Sequence, residues 1–215
     1  MRLRNIPGSR EAIAESKYVI PEEQMRSYRG NWQSLFPHPG PLFLEIGMGK
    51  GKFISELAVL HPENNYLGIE KYSSVLLRAL QKREKMEGTD NLLFLRMDAE
   101  AITDLFAPGE IAGIFLNFSD PWPKDRHAHR RLPSRQFLAR YRSVLTPDGK
   151  VEFKTDNPDL FSFALEEAAA ADWTILECTR DLHADSRLRE GNIMTEYEER
   201  FSSAGKPICK LIYAP

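Results

Sequence analysis

The sequence contains few cysteines and no long apolar segment, and each shortage excludes a class of protein. Only 2 of the 215 residues are cysteine, which excludes a disulfide-stapled fold and favours free thiols in a reducing compartment. The longest apolar runs have about eight residues, far fewer than a transmembrane helix needs. The histidines and cysteines also lack metal-ligand spacing. We therefore expect no membrane partner and no metal site.

An internal repeat, a low-complexity tract and a clear domain linker are also missing. A chain of 215 residues with 42% hydrophobic and 28% charged residues then predicts one globular domain. Residues 1–40 are rich in Arg, Pro and Gly, and we expect a partly flexible N-terminal extension there, followed by the domain at 41–215. Because no apolar segment follows the first five residues, we expect no signal peptide and a cytoplasmic protein.

The chain lacks an overall positive charge, since its formal net charge is −2. The charges are nevertheless unevenly distributed: segment 124–142 contains seven Lys or Arg residues and one acidic residue. Acidic residues gather elsewhere, for example at 190–199. A local positive surface on a mildly acidic protein favours recognition of one region of a nucleic acid over indiscriminate coating of it.

Apolar segments alternate with helical patterns along most of the chain. We predict seven strands, at 42–46, 66–69, 92–97, 111–118, 150–154, 174–179 and 208–213. We predict helices that begin near Lys50, Ser73, Ser134 and Pro158, and a turn at 146–149. The alternation indicates an α/β fold with a parallel sheet and helices on both faces, in which ligands bind at the carboxyl ends of the strands.

A glycine-rich turn follows the first of these strands. Segment 45–51, Glu-Ile-Gly-Met-Gly-Lys-Gly, reads as a strand end, a turn and a helix start, and its backbone can approach a ligand closely because glycine has no Cβ. Glu70 ends the next strand about twenty residues later, where an acid can hold a ribose. The alternatives are that Glu45 stiffens the turn and that Glu70 is a solvated acid. Folds that bind dinucleotides more typically show Gly-x-Gly-x-x-Gly, whereas the third glycine comes one residue earlier in this chain.

The most informative segment is 117–131, Asn-Phe-Ser-Asp-Pro-Trp-Pro-Lys-Asp-Arg-His-Ala-His-Arg-Arg. An apolar strand delivers Asp120, a turn made rigid by two prolines, and Lys124 to one point. A dense basic run follows at once and can bind phosphates. A placed carboxylate, a flat ring at Trp122 and a phosphate-binding patch together indicate chemistry on a base of a nucleic acid.

From about residue 18 to residue 212, these features resemble the bacterial tRNA (guanine-N7-)-methyltransferases, and the Asp-Pro-Trp-Pro-Lys-x-Arg-His-x-x-Arg-Arg run is highly specific to that family. The resemblance implies the class I methyltransferase (Rossmann-like) fold, a three-layer α/β sandwich with a mostly parallel seven-stranded sheet and an antiparallel last strand. It implies S-adenosylmethionine as the methyl donor and formation of 7-methylguanosine at variable-loop guanine 46 of tRNA. Both monomers and homodimers are compatible with the family.

The resemblance also assigns roles to individual residues. Cofactor contacts fall on Glu45, Gly47, Gly49, Glu70, Asp98 and Asp120. Contacts with the substrate fall on Lys124, Asp156, Thr195, Glu196, Tyr197 and Glu198, and contacts with RNA on Arg126, His127, Ala128, His129, Arg130 and Arg131. Asp120 is in addition the predicted catalytic residue.

Several of these residues have an ordinary structural alternative. Asp98 and Asp156 are each placed to cap a following helix. Thr195 and Glu198 form a capping-box pattern. Trp122 could brace the turn from the core, and the basic run could be a solvated face.

Asp120 is predicted to orient and stabilise rather than to remove a proton. Guanine N7 already carries an in-plane lone pair, so no base is needed to expose it. A methyl group arriving by in-line displacement places positive charge on the guanine. A carboxylate near the N1–H and N2–H edge would hold the base more tightly as that charge develops.

Three other functions compete with this one. An amino-group methyltransferase acting on adenine or cytosine often has an acidic or amide residue followed by Pro-Pro-aromatic at the same strand end. An NAD-dependent oxidoreductase could use a similar sheet, but the basic run would then have no explanation. A non-catalytic RNA-binding module would bind RNA without transferring a methyl group.

Overall fold

The computed structural model describes residues 6–215 and contains one eight-stranded sheet. The strands are β1 (Val19–Ile20), β2 (Leu42–Ile46), β3 (Asn65–Ile69), β4 (Leu92–Leu95), β5 (Ile111–Asn117), β6 (Leu145–Thr155), β7 (Thr174–Thr179) and β8 (Cys209–Ala214). The helices are α1 (Ser9–Ala14), α2 (Glu22–Met25), α3 (Lys52–Leu60), α4 (Ser73–Arg83), α5 (Ile102–Leu105), α6 (Arg135–Val144), α7 (Pro158–Ala170) and α8 (Glu196–Ser203). Within residues 6–215, no helix combines the length and apolar character needed to cross a membrane.

The sheet is parallel except at its C-terminal end. Its strand order is β1-β4-β3-β2-β5-β6-β8-β7, and β8 runs antiparallel to both β6 and β7. On one side of β2 the sheet continues with β3 and then β4. The next strand in the chain, β5, pairs with β2 on its other side. Such a reversal opens a crevice at the carboxyl ends of the two central strands. The expected mostly parallel sheet with an antiparallel last strand is confirmed.

The sheet has one more strand than predicted, because part of the N-terminal segment joins it. β1 pairs with β4, with Val19 opposite Phe94. Trp32 is fully buried, donates its indole N–H to the Leu105 carbonyl at 2.9 Å and stacks on Phe106. Residues 6–40, which we expected to form a partly flexible extension, are thus anchored to the sheet by a few apolar residues, and the division of the chain at residue 40 stays a prediction. Residues 1–5 lie outside the described residues.

Helices cover both faces of the sheet, because side chains alternate between faces along each strand. Leu44 and Ile46 of β2 join a cluster with α5, α6 and α7. Tyr66 of β3 and Phe94 of β4 join a second cluster with α1, α3 and α4. Burying a side chain of this size contributes about 1.5–3 kcal/mol. The predicted three-layer α/β sandwich is confirmed.

Local sequence signals explain where the helices begin. Asn157 caps α7 by accepting a hydrogen bond from the Leu160 N–H at 2.9 Å, with proline at the first helical position. α4 begins at Ser73 as predicted, whereas α3 begins at Lys52, because Gly51 is still left-handed at φ +72°. The predicted turn at 146–149 is a bulge within β6, which pairs with β5 on both sides of it.

Candidate active site

A cleft of about 550 Å³ lies at the carboxyl edge of the sheet, at the reversal beside β2. The ends of four parallel strands, β2 to β5, reach it. Seven residues with a predicted role line it: Gly47, Gly49, Glu70, Asp98, Asp120, Arg130 and Tyr197. The sheet therefore brings together residues that are up to 150 positions apart in sequence, since Gly47 and Tyr197 share the cleft.

The glycine turn leaves open space beside its backbone. Gly47 and Gly49 have φ values of +76° and +58°, which glycine adopts without strain. A Cβ atom at either position would meet nothing within 4 Å. The turn is fixed from below, because the Gly47 and Met48 N–H groups both donate to the Ile69 carbonyl, at 2.9 and 3.1 Å. A ligand can therefore lie directly against a preorganised backbone.

Glu70 both lines the cleft and holds the turn. Its carboxylate accepts hydrogen bonds from the Gly49 N–H at 3.2 Å and from the Tyr72 N–H at 2.9 Å. Burial raises the pKa of Glu70 against the lowering effect of these N–H groups, and the nearby charge of Asp120 raises it further. The alternative of a solvated strand-end acid is wrong, since the residue is 7% exposed.

Glu45 lies beneath the cleft and not on its wall. It is 2% exposed, and its Oε1 accepts a hydrogen bond from the Asn117 side chain at 2.9 Å. Among residues 6–215, its Oε2 has no hydrogen-bond partner. Burial raises the pKa of Glu45 to about 7, although the Asn117 hydrogen bond and the Lys154 charge act in the opposite direction. An unpartnered buried carboxylate oxygen is suited to a cationic or N–H-bearing ligand group.

Asp98 combines the two roles that its sequence position allows. It caps the 3₁₀ helix Ala99–Ala101 by accepting from the Glu100 N–H at 3.1 Å, and it also lines the cleft. An ion pair with Lys71 crosses the cleft edge. Burial acts to raise the pKa of Asp98, but the Lys71 hydrogen bond and charge hold it below its ordinary value.

The loop that carries Asp120 has an unusual backbone. Phe118 and Trp122 have φ values of +52° and +42°, in the left-handed region that non-glycine residues rarely adopt. Asp120 is exposed and lines the cleft between them. Trp122 also lines the cleft and is only half-buried, so the alternative of a core tryptophan is wrong. Strained backbone of this kind clusters at functional sites.

The basic segment after this loop divides into exposed and inward-facing residues. Residues 125–130 form a 3₁₀ helix, in which Arg126 and His129 are exposed, as is Lys124 before it. His127 contacts the Trp122 ring edge-on at 5.7 Å, and Ala128 is partly buried.

The two arginines that end the segment point in different directions. The Arg130 guanidinium lies over the Trp122 ring at 5.2 Å. Arg131, in contrast, donates to the carbonyls of Pro121 and Trp122.

The predicted substrate segment 195–198 presents one side chain to the cleft. Tyr197 lines the cleft, is 50% exposed and stacks near Phe118 with ring centroids 6.3 Å apart. Thr195 caps α8 by accepting from the Glu198 N–H at 3.0 Å. Glu196 bridges Lys50 of the glycine turn and Lys82 of α4. Three of the four side chains therefore anchor the segment.

Glu198 is fully buried against Lys154 of β6, with 2.7 Å between the Lys154 Nζ and the Glu198 Oε2. Lys154 also donates to the Ile193 carbonyl at 2.8 Å and lies 5.0 Å from the Phe53 ring centroid. Burial lowers the pKa of Lys154, against the raising effect of the Glu198 charge. This buried pair ties α8 to β6 of the sheet.

Asp156 lies away from the cleft wall. Its carboxylate is 3.7 Å from the Lys206 Nζ, and Asn157, not Asp156, caps α7. The residues that sequence reasoning missed are Asn117, Phe118, Lys154 and the inward-facing side chain of Arg131. A lysine inside the apolar run of β6 was the one available signal, because a buried lysine requires a partner.

Comparison with known proteins matches residues 39–211 to a family model described as "Putative methyltransferase". A tRNA (guanine-N(7)-)-methyltransferase of Lachnoclostridium phytofermentans is 60% identical over 212 residues, which cover 99% of this chain and 97% of the relative. A tRNA (guanine-N(7)-)-methyltransferase of Brevibacillus brevis is 48% identical over 211 residues, which cover 98% of this chain and 97% of the relative.

Solved structures with low sequence identity share the fold. An antibiotic-related methyltransferase superposes with a TM-score of 0.62 at 16% identity, covering 91% of this chain and 94% of that one. The 16S rRNA methyltransferase KamB superposes with a TM-score of 0.59 at 17% identity, covering 88% of this chain and 90% of that one. These similarities confirm the methyltransferase fold.

Proposed function

The chain belongs to the bacterial tRNA (guanine-N7-)-methyltransferase family, and from this membership we propose that it transfers a methyl group from S-adenosylmethionine to N7 of a guanine in tRNA. The observation that carries the proposal is 60% identity to a relative of that name over nearly the whole chain. The acid-rich cleft bordered by Asp120, two aromatic side chains and Arg130 supports it. The finer target that we propose is the variable-loop guanine, position 46.

The cleft suits a cofactor with positive groups and no phosphate. S-adenosylmethionine supplies an electrophilic methyl group when bound, and its sulfonium and ammonium groups are cationic. Gly47 and Gly49 offer open backbone, and Glu70 is placed to hold ribose hydroxyls. Glu45 lies beneath the same cleft, and we propose that its carboxylate favours the cationic groups of the cofactor from below. Asp98, at the end of β4, would border the adenine ring.

Asp120 would act on the guanine rather than on a proton. The N7 lone pair lies in the plane of the base, so the base needs only to be oriented and stabilised. The Asp120 carboxylate would accept from the N1–H and N2–H edge as positive charge develops on the ring. Trp122 and Tyr197 both line the cleft and offer aromatic surface on which a base can stack. Asp120 lines the same cleft as Glu70, and its charge raises the pKa of Glu70.

Recognition of the tRNA would depend on the exposed basic surface beside the cleft. Lys124, Arg126, His129 and Arg130 are exposed and can bind phosphates in a salt-dependent way. His127 and Ala128 belong to the same predicted RNA segment. Lys124, Asp156 and segment 195–198 stay the proposed substrate residues, of which Tyr197 is the one that lines the cleft. A guanine within folded tRNA must be splayed out to enter the cleft.

The setting of the reaction follows from the substrate. We propose the cytoplasm as the compartment, because tRNA is modified and used there. A homodimer stays a prediction.

The experiment that tests the function measures methyl transfer from labelled S-adenosylmethionine to an unmodified tRNA transcript, followed by digestion to nucleosides. A matched transcript carries adenine at position 46. We expect label in 7-methylguanosine and its loss with the substituted transcript. Label in a methylated adenine or cytosine would move the protein to the amino-group methyltransferases. Binding of both ligands without transfer would contradict the proposed activity.

A further inference from the structure

Arg131 ends the basic segment, but its side chain turns away from solvent and towards the Asp120 loop. Its Nε lies 3.0 Å from the Pro121 carbonyl oxygen, and its Nη2 lies 3.0 Å from the Trp122 carbonyl oxygen. Its Cζ lies 4.4 Å from the centroid of the Phe163 ring on α7. The guanidinium is therefore held between a helix and the loop, with two of its donors already used.

The backbone of this loop is strained and has few hydrogen-bond donors of its own. Phe118 and Trp122 both have positive φ values, +52° and +42°; such residues cost of order 1–3 kcal/mol each and persist only where the surrounding structure holds them. Pro121 and Pro123 have no N–H group. Trp122 is thus the only residue of the Pro-Trp-Pro turn that can donate from its backbone. The charged guanidinium supplies donors to two successive carbonyls of this turn, and charge-assisted hydrogen bonds are about twice as strong as neutral ones.

We propose that Arg131 is a positioning residue, which fixes the Asp120-Pro121-Trp122 turn in its working geometry, and that it is not a phosphate contact. Arg126, on the short helix that precedes Arg131, is exposed and stays available to RNA. The proposal rests on the proposed function for its kinetic consequence, but its structural consequence can be measured without any methyl transfer.

The geometry of the contact distinguishes arginine from lysine. The Nε and Nη2 donors reach two adjacent carbonyls at once, whereas a lysine ammonium is a point charge on a flexible stem. Arg131→Lys therefore keeps the charge that a phosphate would need and loses the fork that the loop needs. Arg131→Gln removes both, and Arg126→Gln removes one charge from the same segment as the matched control.

The first readout is acrylamide quenching of tryptophan fluorescence in the full-length protein. Trp32 and Trp173 are 0% and 5% exposed, so quenching reports mainly on Trp122, which lines the cleft. We expect Arg131→Lys and Arg131→Gln to raise the quenching constant about twofold, since a released loop opens locally. Arg126→Gln should leave it at the wild-type value. Wild-type quenching in both Arg131 variants, with native circular dichroism, would overturn the proposal.

The second readout is the kinetics of methyl transfer to tRNA. We expect both Arg131 variants to lower kcat by about 10²-fold, the effect of a small misplacement of reacting groups, without changing the salt dependence of tRNA binding. Arg126→Gln should instead raise KM and reduce the salt slope by about 0.7–0.9. Full activity of Arg131→Lys beside a flattened salt slope for Arg131→Gln would make Arg131 a phosphate contact. If the wild-type protein transfers no methyl group to tRNA, the proposed function fails, and the quenching result still decides the role of Arg131.

Discussion

At the scale of single residues, acids that look alike in the sequence have different surroundings in the fold. Glu45 lies near the end of one parallel strand, and Glu70, Asp98 and Asp120 each follow another, yet Glu45 is buried below the cleft and Asp120 is exposed within it. The strand pattern predicts that these acids meet at one edge of the sheet, because parallel strands end together. It does not predict which carboxylates already have partners, since those depend on side chains from other elements.

Asp120→Asn tests the carboxylate of the loop at nearly constant size. We expect kcat to fall by about 10²–10³, because a group aimed at developing charge is lost, while the Kd for S-adenosylmethionine stays within a few fold. Single-turnover transfer and calorimetric titration with the cofactor measure the two effects. Asp125→Asn, an exposed acid five residues further along, is the control. A tenfold loss of cofactor affinity with residual activity would instead make Asp120 a cofactor ligand.

Glu45→Gln tests the burial of a charge that the native protein carries above neutral pH. The pKa of Glu45 is raised to about 7 from an ordinary 4.5, so the folded protein holds this proton more tightly than the unfolded chain. The cost of ionising it is absent below pH 4.5, grows as the pH rises to 7, and then stays constant at up to about 3 kcal/mol. Glu45→Gln removes this cost. The free energy of unfolding of the variant, relative to that of the wild type, should therefore be higher at pH 8 than at pH 5.

Urea denaturation of the wild-type protein and the variant at both pH values measures this difference. Glu87→Gln, at an exposed position, is the matched control and should show no such trend. A Glu45→Gln effect that is equal at pH 5 and pH 8 would show that Glu45 titrates normally.

At the scale of elements, the buried ion pair between β6 and α8 explains how the segment with Tyr197 keeps its place over the sheet. Both side chains of the Lys154–Glu198 pair are 0% exposed. Lys154 also holds the Ile193 carbonyl, just before α8. The capping pattern at Thr195 predicts where α8 begins. The position of the helix depends on the contact between Lys154 and Glu198, which are 44 residues apart in sequence. No local sequence pattern can predict a contact of that range.

Lys154→Met should therefore release α8 as a unit. We expect a loss of about 3–5 kcal/mol in the free energy of unfolding, because Glu198 is left as an uncompensated buried charge. Hydrogen exchange should show increased opening of segment 192–203. Urea denaturation and mass-resolved exchange make the two measurements.

Arg187→Met provides the control, because the Arg187–Glu177 pair is surface-exposed, with 67% of the arginine side chain accessible. Its loss should cost less than about 1 kcal/mol. The double variant Lys154→Met, Glu198→Leu should recover part of the stability, since no charge then stays buried. If Lys154→Met costs no more than Arg187→Met, the pair does not hold α8.

At the scale of the whole molecule, the N-terminal segment belongs to the same core as the sheet. Met25, Trp32 and Phe36 are buried in the cluster that contains β2 and α5 to α7. A composition rich in Arg, Pro and Gly predicts an extension. A few buried apolar side chains nevertheless anchor the segment to the core. The division into an extension at 1–40 and a domain at 41–215 stays a prediction. It can be tested by asking whether the chain still unfolds cooperatively without residues 1–40.

A chain that lacks residues 1–40 should lose its cooperative unfolding transition and bind a hydrophobic dye, because the face covered by Trp32 is exposed. Calorimetry and dye fluorescence test this. Trp32→Ala in the full chain is the milder variant and should cost about 3–5 kcal/mol, the loss expected for a large buried aromatic side chain. A truncated chain that unfolds cooperatively near the wild-type temperature would show that residues 1–40 are dispensable for the core.

The sequence by itself determined the α/β class, the mostly parallel sheet, the glycine turn and the family. These features are local, because a strand period, a turn without Cβ atoms and the Asp-Pro-Trp-Pro run are each contained in a few consecutive residues. Only the tertiary structure decided that β1 joins the sheet, that Lys154 pairs with Glu198 and that Arg131 turns inward to the Trp122 carbonyl. Each of these depends on burial and on partners from distant segments, so each is a property of the packed fold and not of any stretch of the chain.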